Sequence, residues 1–131
     1  MVMKVKNKVL VSDKISKKAL ETLQKNNIDF DYMPDCGTSN TLIEVIEPYA
    51  GLVIRSASKV SKEVIDRGKN LQVIGRAGIG IDNIDLKAAS SKGIVVMNTP
   101  HGNAITTAEH TLAMIFAACR QIPAADHSTK N

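Results

Sequence analysis

The chain has no tryptophan, two phenylalanines, two tyrosines, two cysteines and four prolines among its 131 residues. Cys36 and Cys119 stand alone, with no metal-ligand spacing around them, so neither a disulfide scaffold nor a zinc site is expected and a reducing cytosol fits best. The longest unbroken apolar run is Leu112–Cys119, eight residues against the ~20 that a bilayer-spanning helix needs. The opening residues, MVMKVKNKVLVSD, hold neither the apolar stretch nor the small-residue cleavage site of a secretory signal. There is no stripe of Lys and Arg interleaved with aromatics. The net charge of +4 therefore reads as a solvated basic surface, with no nucleic acid and no membrane expected as a partner.

What is present suits a globular fold. At 44% apolar and 23% charged, the chain has the composition of one ordinary domain, which hides roughly two-thirds of its unfolded surface. Strand-like and helix-like segments alternate. Val9–Ser12, Ile28–Met33, Gly51–Ile54, Leu71–Gly75 and Ile94–Met97 read as five strands. Between them, Ser16–Asn26, Thr41–Glu47, Val60–Gly68 and Asp85–Lys92 read as helices, the last with Asp85 as N-cap and Gly93 just past its end. This alternation predicts an α/β fold, a doubly wound parallel sheet of five strands with helices on both faces. A long helix follows, from Asn103 or Thr106 to Arg120, with Thr106 and Glu109 placed as a T-x-x-E capping box. Its Leu112–Cys119 portion is apolar all round and so expects burial on every side. Pro123 is expected to end the helix and leave a polar tail.

In a doubly wound sheet, ligands sit beyond the carboxyl ends of the strands. Three segments fall there: Arg55–Lys59, Gly75–Asn83 and Asn98–Asn103. Arg55 and Arg76 offer planar forks suited to carboxylate or phosphate, and the Gly78-Ile79-Gly80 turn offers backbone N–H groups to an anion. Together they suggest a small polyanionic ligand. On pattern alone, two surface arginines and a simple reversal of the chain read equally well. The turn is not a dinucleotide fingerprint: the third glycine of G-x-G-x-x-G would fall on Asn83, and the turn follows the fourth strand. No P-loop is present. A phospho-acceptor receiver would want an aspartate where Arg55 stands, and a flavin-mononucleotide carrier would want a Gly/Thr-rich loop in place of Ser12-Asp13-Lys14-Ile15. His101 is open to a ligand contact or a plain loop position. His110 reads as a packed or surface residue and His127 as solvated; none has a carboxylate partner at catalytic spacing. Asp82 and Asp85 read as turn and cap residues.

The runs Val53–Val60, Leu71–Asp85 and Val96–Asn103, followed by Ala108-Glu109, resemble the D-isomer-specific 2-hydroxyacid dehydrogenases over essentially the whole chain. The arginine after the third strand, the Arg-Ala-Gly-x-Gly turn and Arg120-Gln121-Ile122-Pro123 resemble the phosphoglycerate branch of that family. The resemblance implies a flavodoxin-like substrate-binding domain over residues 1–100. Residues 101–131 would be a linking helix and the start of a nucleotide-binding domain. It implies NAD-linked oxidation of 3-phosphoglycerate to 3-phosphohydroxypyruvate, the entry step of serine biosynthesis. Carried over by position, Arg55 and Arg76 would meet the phosphate or carboxylate side of the substrate. The backbone of Gly78, Ile79 and Gly80 would hold its carboxylate, and Asn103 would lie near it. Position 79 approaches the cofactor and is commonly Thr in that branch; Ile79 lacks the hydroxyl. His101 stands where Asn or Gly is more usual.

The family's dinucleotide turn, acidic ribose-binding residue and catalytic Arg, Glu and His have no counterpart in these 131 residues. The expectation is therefore the leading part of a dehydrogenase, inactive alone because hydride transfer needs nicotinamide and base held in register. Two other readings are carried beside it. One is a non-catalytic module binding a phosphorylated hydroxy acid. The other is an interaction subunit, or a homo-oligomer, docking through the 104–120 helix.

Overall fold

The computed structural model describes residues 7–130. Five short strands, β1 (Val9–Val11), β2 (Phe30–Tyr32), β3 (Gly51–Ile54), β4 (Val73–Arg76) and β5 (Val95–Met97), form one parallel sheet in the order β2-β1-β3-β4-β5. Four helices connect them: α1 (Lys17–Lys25), α2 (Ser39–Val45), α3 (Lys62–Arg67) and α4 (Leu86–Ser91). The strand order reverses direction between β1 and β3. Right-handed crossovers then put α1 on one face of the sheet and α2, α3 and α4 on the other. This is the α/β, flavodoxin-like arrangement expected of the sequence.

Local chemistry sets the helix starts. The Ser16 and Asp85 side chains accept the N–H groups of Ala19 (3.3 Å) and Ala88 (2.9 Å), and Thr38 accepts that of Thr41. Gly93, at φ +69°, turns the chain from α4 into β5, a left-handed conformation that suits glycine. The core lies on the α2–α4 side. Leu10, Leu52 and Ile74 share one row across β1, β3 and β4 and pack with Leu42, Ile46, Val64 and Ile65. The alternate rows face the other way. There Val53 and Val73 are half-buried, and Val95 and Met97 are more than half exposed.

The chain divides after Pro100 into two compact units. The second, considered by itself, holds α5 (Ala104–Cys119) and α6 (Ile122–Lys130). Two expectations are corrected here. Helix α5 begins at Ala104 with Asn103 as its N-cap residue, so Thr106 lies inside the first turn and the Thr106–Glu109 capping box does not form. The chain enters the helix one turn earlier than that pattern suggested. Pro123 does not leave a polar tail: Gln121, at φ +48°, interrupts the helix, and Pro123 then sits in the first turn of α6. A proline there loses no hydrogen bond, because the first turn's N–H groups have no intrahelical partner. Neither helix contains a buried residue, and Leu112, Met114, Ile115 and Phe116 are at least half exposed. No helix among the described residues is long and apolar enough to cross a membrane.

Candidate functional site

The strand order reverses at β1 and β3, and their carboxyl ends open into a cleft of about 290 Å³. It is lined by Asp13, Lys14, Pro34, Asp35, Arg55, Ser56 and Ala57. Beside it, β4 runs out into the glycine-rich turn. Because Ile54 pairs with Arg76 in the sheet, Arg55 and that turn leave adjacent strands at the same level.

Arg55 is exposed, and its Nη1 donates to the Lys14 carbonyl at 3.1 Å. The loop that carries it is held tightly. Asp13, almost fully buried, accepts through Oδ2 from the N–H groups of Arg55 (2.5 Å) and Ser58 (3.1 Å). The buried hydroxyls of Ser12 and Ser58 bond at 2.8 Å. Asn83 Nδ2 donates to the carbonyls of Arg55 and Ser58, both at 2.7 Å. From a third side the Gly37 carbonyl accepts from Lys59 N–H (2.9 Å). A Cβ at position 37 would come within 2.6 Å of Ser58 Oγ and 3.1 Å of its α-carbon, so only glycine permits this approach. Behind the cleft, burial pushes the Cys36 thiol pKa up, with the charges of Asp13 and Asp35 adding to the effect.

The glycine turn is built differently. Its carbonyls are tied back into the protein: Gly78 accepts from Thr99 N–H (2.9 Å), Ile79 from Asn98 Nδ2 (2.7 Å) and Gly80 from Arg76 Nη1. Gly78 N–H is used on the Arg76 carbonyl (2.9 Å). The N–H groups of Ile79 and Gly80, two exposed residues, donate to no acceptor among the described residues. With carbonyls drawn inward and amides left open, the turn has the polarity that an anion requires. Arg76 lies against the turn: a Cβ at Gly80 would be 2.9 Å from its Nη1, and its Nε is buried without a partner.

The sheet thus gathers Arg55, Arg76, Gly78, Ile79 and Gly80 at one edge, with Arg55 free toward solvent and Arg76 folded onto the turn. The Ile79 side chain is exposed and apolar. Asn103 and His101 belong to the second unit, where both are exposed. Asp13, Asn83 and Asn98 were not singled out from sequence as site residues. Their partners lie 19 to 45 positions away, beyond any local pattern. The one available signal is that short polar residues directly follow β1 and β5 and interrupt the turn after β4.

Residues 9–131 match the family model described as D-isomer specific 2-hydroxyacid dehydrogenase, catalytic domain. The D-3-phosphoglycerate dehydrogenase of Archaeoglobus fulgidus is 47% identical over 123 residues, which cover 94% of this chain and 23% of that protein. Among solved structures, a protein of Pyrococcus horikoshii superposes with a TM-score of 0.80 at 32% identity, over 92% of this chain and 35% of that one. The NAD+-bound 3-phosphoglycerate dehydrogenase of Entamoeba histolytica gives 0.71 at 32% identity, over 84% and 38%. The chain therefore spans about a quarter of the length of the curated relatives it matches. It belongs to the D-isomer specific 2-hydroxyacid dehydrogenase family.

Proposed function

We propose that residues 1–100 are the substrate-binding part of an NAD-linked D-3-phosphoglycerate dehydrogenase, acting in serine biosynthesis in the cytoplasm. Residues 101–131 form its linking helix and the start of its nucleotide-binding domain. In this reading the substrate carboxylate sits on the N–H groups of Ile79 and Gly80, and Arg55 takes the phosphate. Arg76 shapes the turn by bonding the Gly80 carbonyl. One observation carries the proposal: a turn whose three carbonyls are drawn inward while two amide donors stay open, beside an exposed arginine on the next strand. A ligand with two anionic groups suits two separate donor groups better than lactate or glycerate does.

NAD finds no cradle in this chain's own residues. The turn after β4 lacks the third glycine, and Asn83 at that position is committed to the Arg55 loop. Ile79 offers only an apolar side chain to a cofactor held elsewhere. In this reading the chain by itself supplies the substrate side of the reaction and leaves hydride transfer to residues of a nucleotide-binding domain. Titrating the chain with 3-phosphoglycerate while following backbone amide shifts tests this directly. Shifts at Arg55, Ile79 and Gly80 are expected, with no NAD-linked turnover above background. Silence at those amides contradicts the binding site, and measurable turnover contradicts the division of labour.

A second reading rests on α5, whose Leu112, Met114, Ile115 and Phe116 are half to nearly two-thirds exposed in the single chain. Such a surface favours self-association of two copies through the 104–120 helix. Sedimentation at high protein concentration is expected to show a dimer, and a clean monomer contradicts it.

A further inference from the structure

The Arg55 loop is gripped on both of its polar edges by two side chains from the loops that follow β1 and β4. One carboxylate oxygen, Asp13 Oδ2, takes the N–H groups of Arg55 and Ser58. One amide nitrogen, Asn83 Nδ2, gives its hydrogens to the carbonyls of the same two residues. Four hydrogen bonds thus fix both peptide edges of a four-residue loop. The Asn83 amide is oriented by its neighbours, because two carbonyls face its nitrogen. Its Oδ1 is buried without a partner, a cost that fits only if the two donor bonds matter more. Asn83 also belongs to the segment that leaves the glycine turn, and its own carbonyl accepts from Val60 N–H at 2.8 Å. The clamp therefore couples the two donor-bearing loops of the site.

We propose that Asp13 and Asn83 are positioning residues, which set the aim of the Arg55 guanidinium relative to the glycine turn without touching the ligand. The inference rests on the substrate-binding reading above. It deepens that reading by naming the groups on which the affinity for a phosphorylated ligand depends. Arginine gains most from its fork when the fork is pre-aimed, since less side-chain freedom is lost on binding. Releasing the loop should then weaken the phosphate contact even with Arg55 intact.

The test uses the full chain and 3-phosphoglycerate as probe. Asn83→Ser is expected to weaken binding about tenfold, and less than twofold when Arg55→Ala is already present, since the residue acts through that arginine. Asp13→Ala should behave alike. Asp13→Asn, which keeps an oxygen for both N–H groups, should retain most of the affinity. Equal losses in the two backgrounds, or no loss in a folded Asn83→Ser variant, overturn the proposal. A ligand-free arm separates it from the substrate reading. Amide exchange at Arg55 and Ser58, whose N–H groups donate to Asp13, should be slow in the unmodified chain and at least tenfold faster in Asp13→Ala; unchanged exchange overturns the clamp. If the unmodified chain ignores 3-phosphoglycerate, the substrate reading fails, and the aim proposed for Arg55 fails with it. Exchange then still decides whether the clamp itself exists.

Discussion

Arg55 and Arg76 leave neighbouring strands one residue apart in register, yet the fold uses them in opposite ways. Arg55 stands in solvent on a loop that other residues hold still, and one of its nitrogens rests on the Lys14 carbonyl. Arg76 holds its own loop: Nη1 bonds the Gly80 carbonyl and lies 2.9 Å from where a Cβ at Gly80 would be. In the function proposed above, one guanidinium meets the ligand and the other makes the surface that meets it. Two arginines in a sequence leave anion binding and plain surface positions equally open; only their partners show that one side chain reaches solvent while the other braces its own turn.

Substitutions can break that contrast. The largest expected effect is Arg55→Ala, which should weaken 3-phosphoglycerate roughly 10- to 100-fold. It should leave unphosphorylated glycerate within about threefold, with no change in melting temperature. Calorimetric titration of the two ligands checks it, and equal losses would make Arg55 structural. Gly37→Ala should destabilise by about 1–3 kcal/mol, because the added methyl meets the backbone of Ser58. It should also loosen phosphate binding through the displaced loop. Chemical denaturation beside the same titration reads both. Arg76→Ala should cost about 1–2 kcal/mol of stability, and weaken phosphorylated and unphosphorylated ligands by the same factor. A loss confined to the phosphorylated ligand would erase the distinction between the two arginines.

The smallest effect is a control away from both loops. Lys62 and then Lys92 hold the Asp66 carboxyl at a pKa of about 2, well below its usual range, by hydrogen bonds from α3 and from the end of α4. A carboxylate depressed in the folded state adds stability that is fully present above its unfolded pKa near 4. That contribution is lost as pH falls from there through about 2. Asp66→Asn should flatten the acid limb of a pH–stability curve, with ligand affinity at neutral pH unchanged.

Much of the frame was legible because its signals are local. Gly51–Ile54 is apolar between a turn and Arg55, and the strand has those bounds. Asp85 and Gly93 mark the ends of α4 through a side chain three residues from its partner and a left-handed φ. The candidate site was legible only as a set of donors: an arginine after β3 and glycines after β4. It was not legible as an arrangement. That Asp13 reaches Ser58, or Asn83 the Arg55 carbonyl, depends on β1, β3 and β4 being adjacent, which is a property of the sheet. At α5 the local pattern misled. Thr106 and Glu109 have capping-box spacing, but nothing stops the helix from starting at Ala104.

Where a bound substrate puts its two anionic groups decides whether the two arginines differ as described, and a crystal structure of this chain with 3-phosphoglycerate would show that directly. The prediction is a carboxylate oxygen within hydrogen-bond reach of the Ile79 and Gly80 amides, with the phosphate against Arg55 and Arg76 still bonded to Gly80. A phosphate on Arg76, or a ligand bound away from the turn, would contradict it.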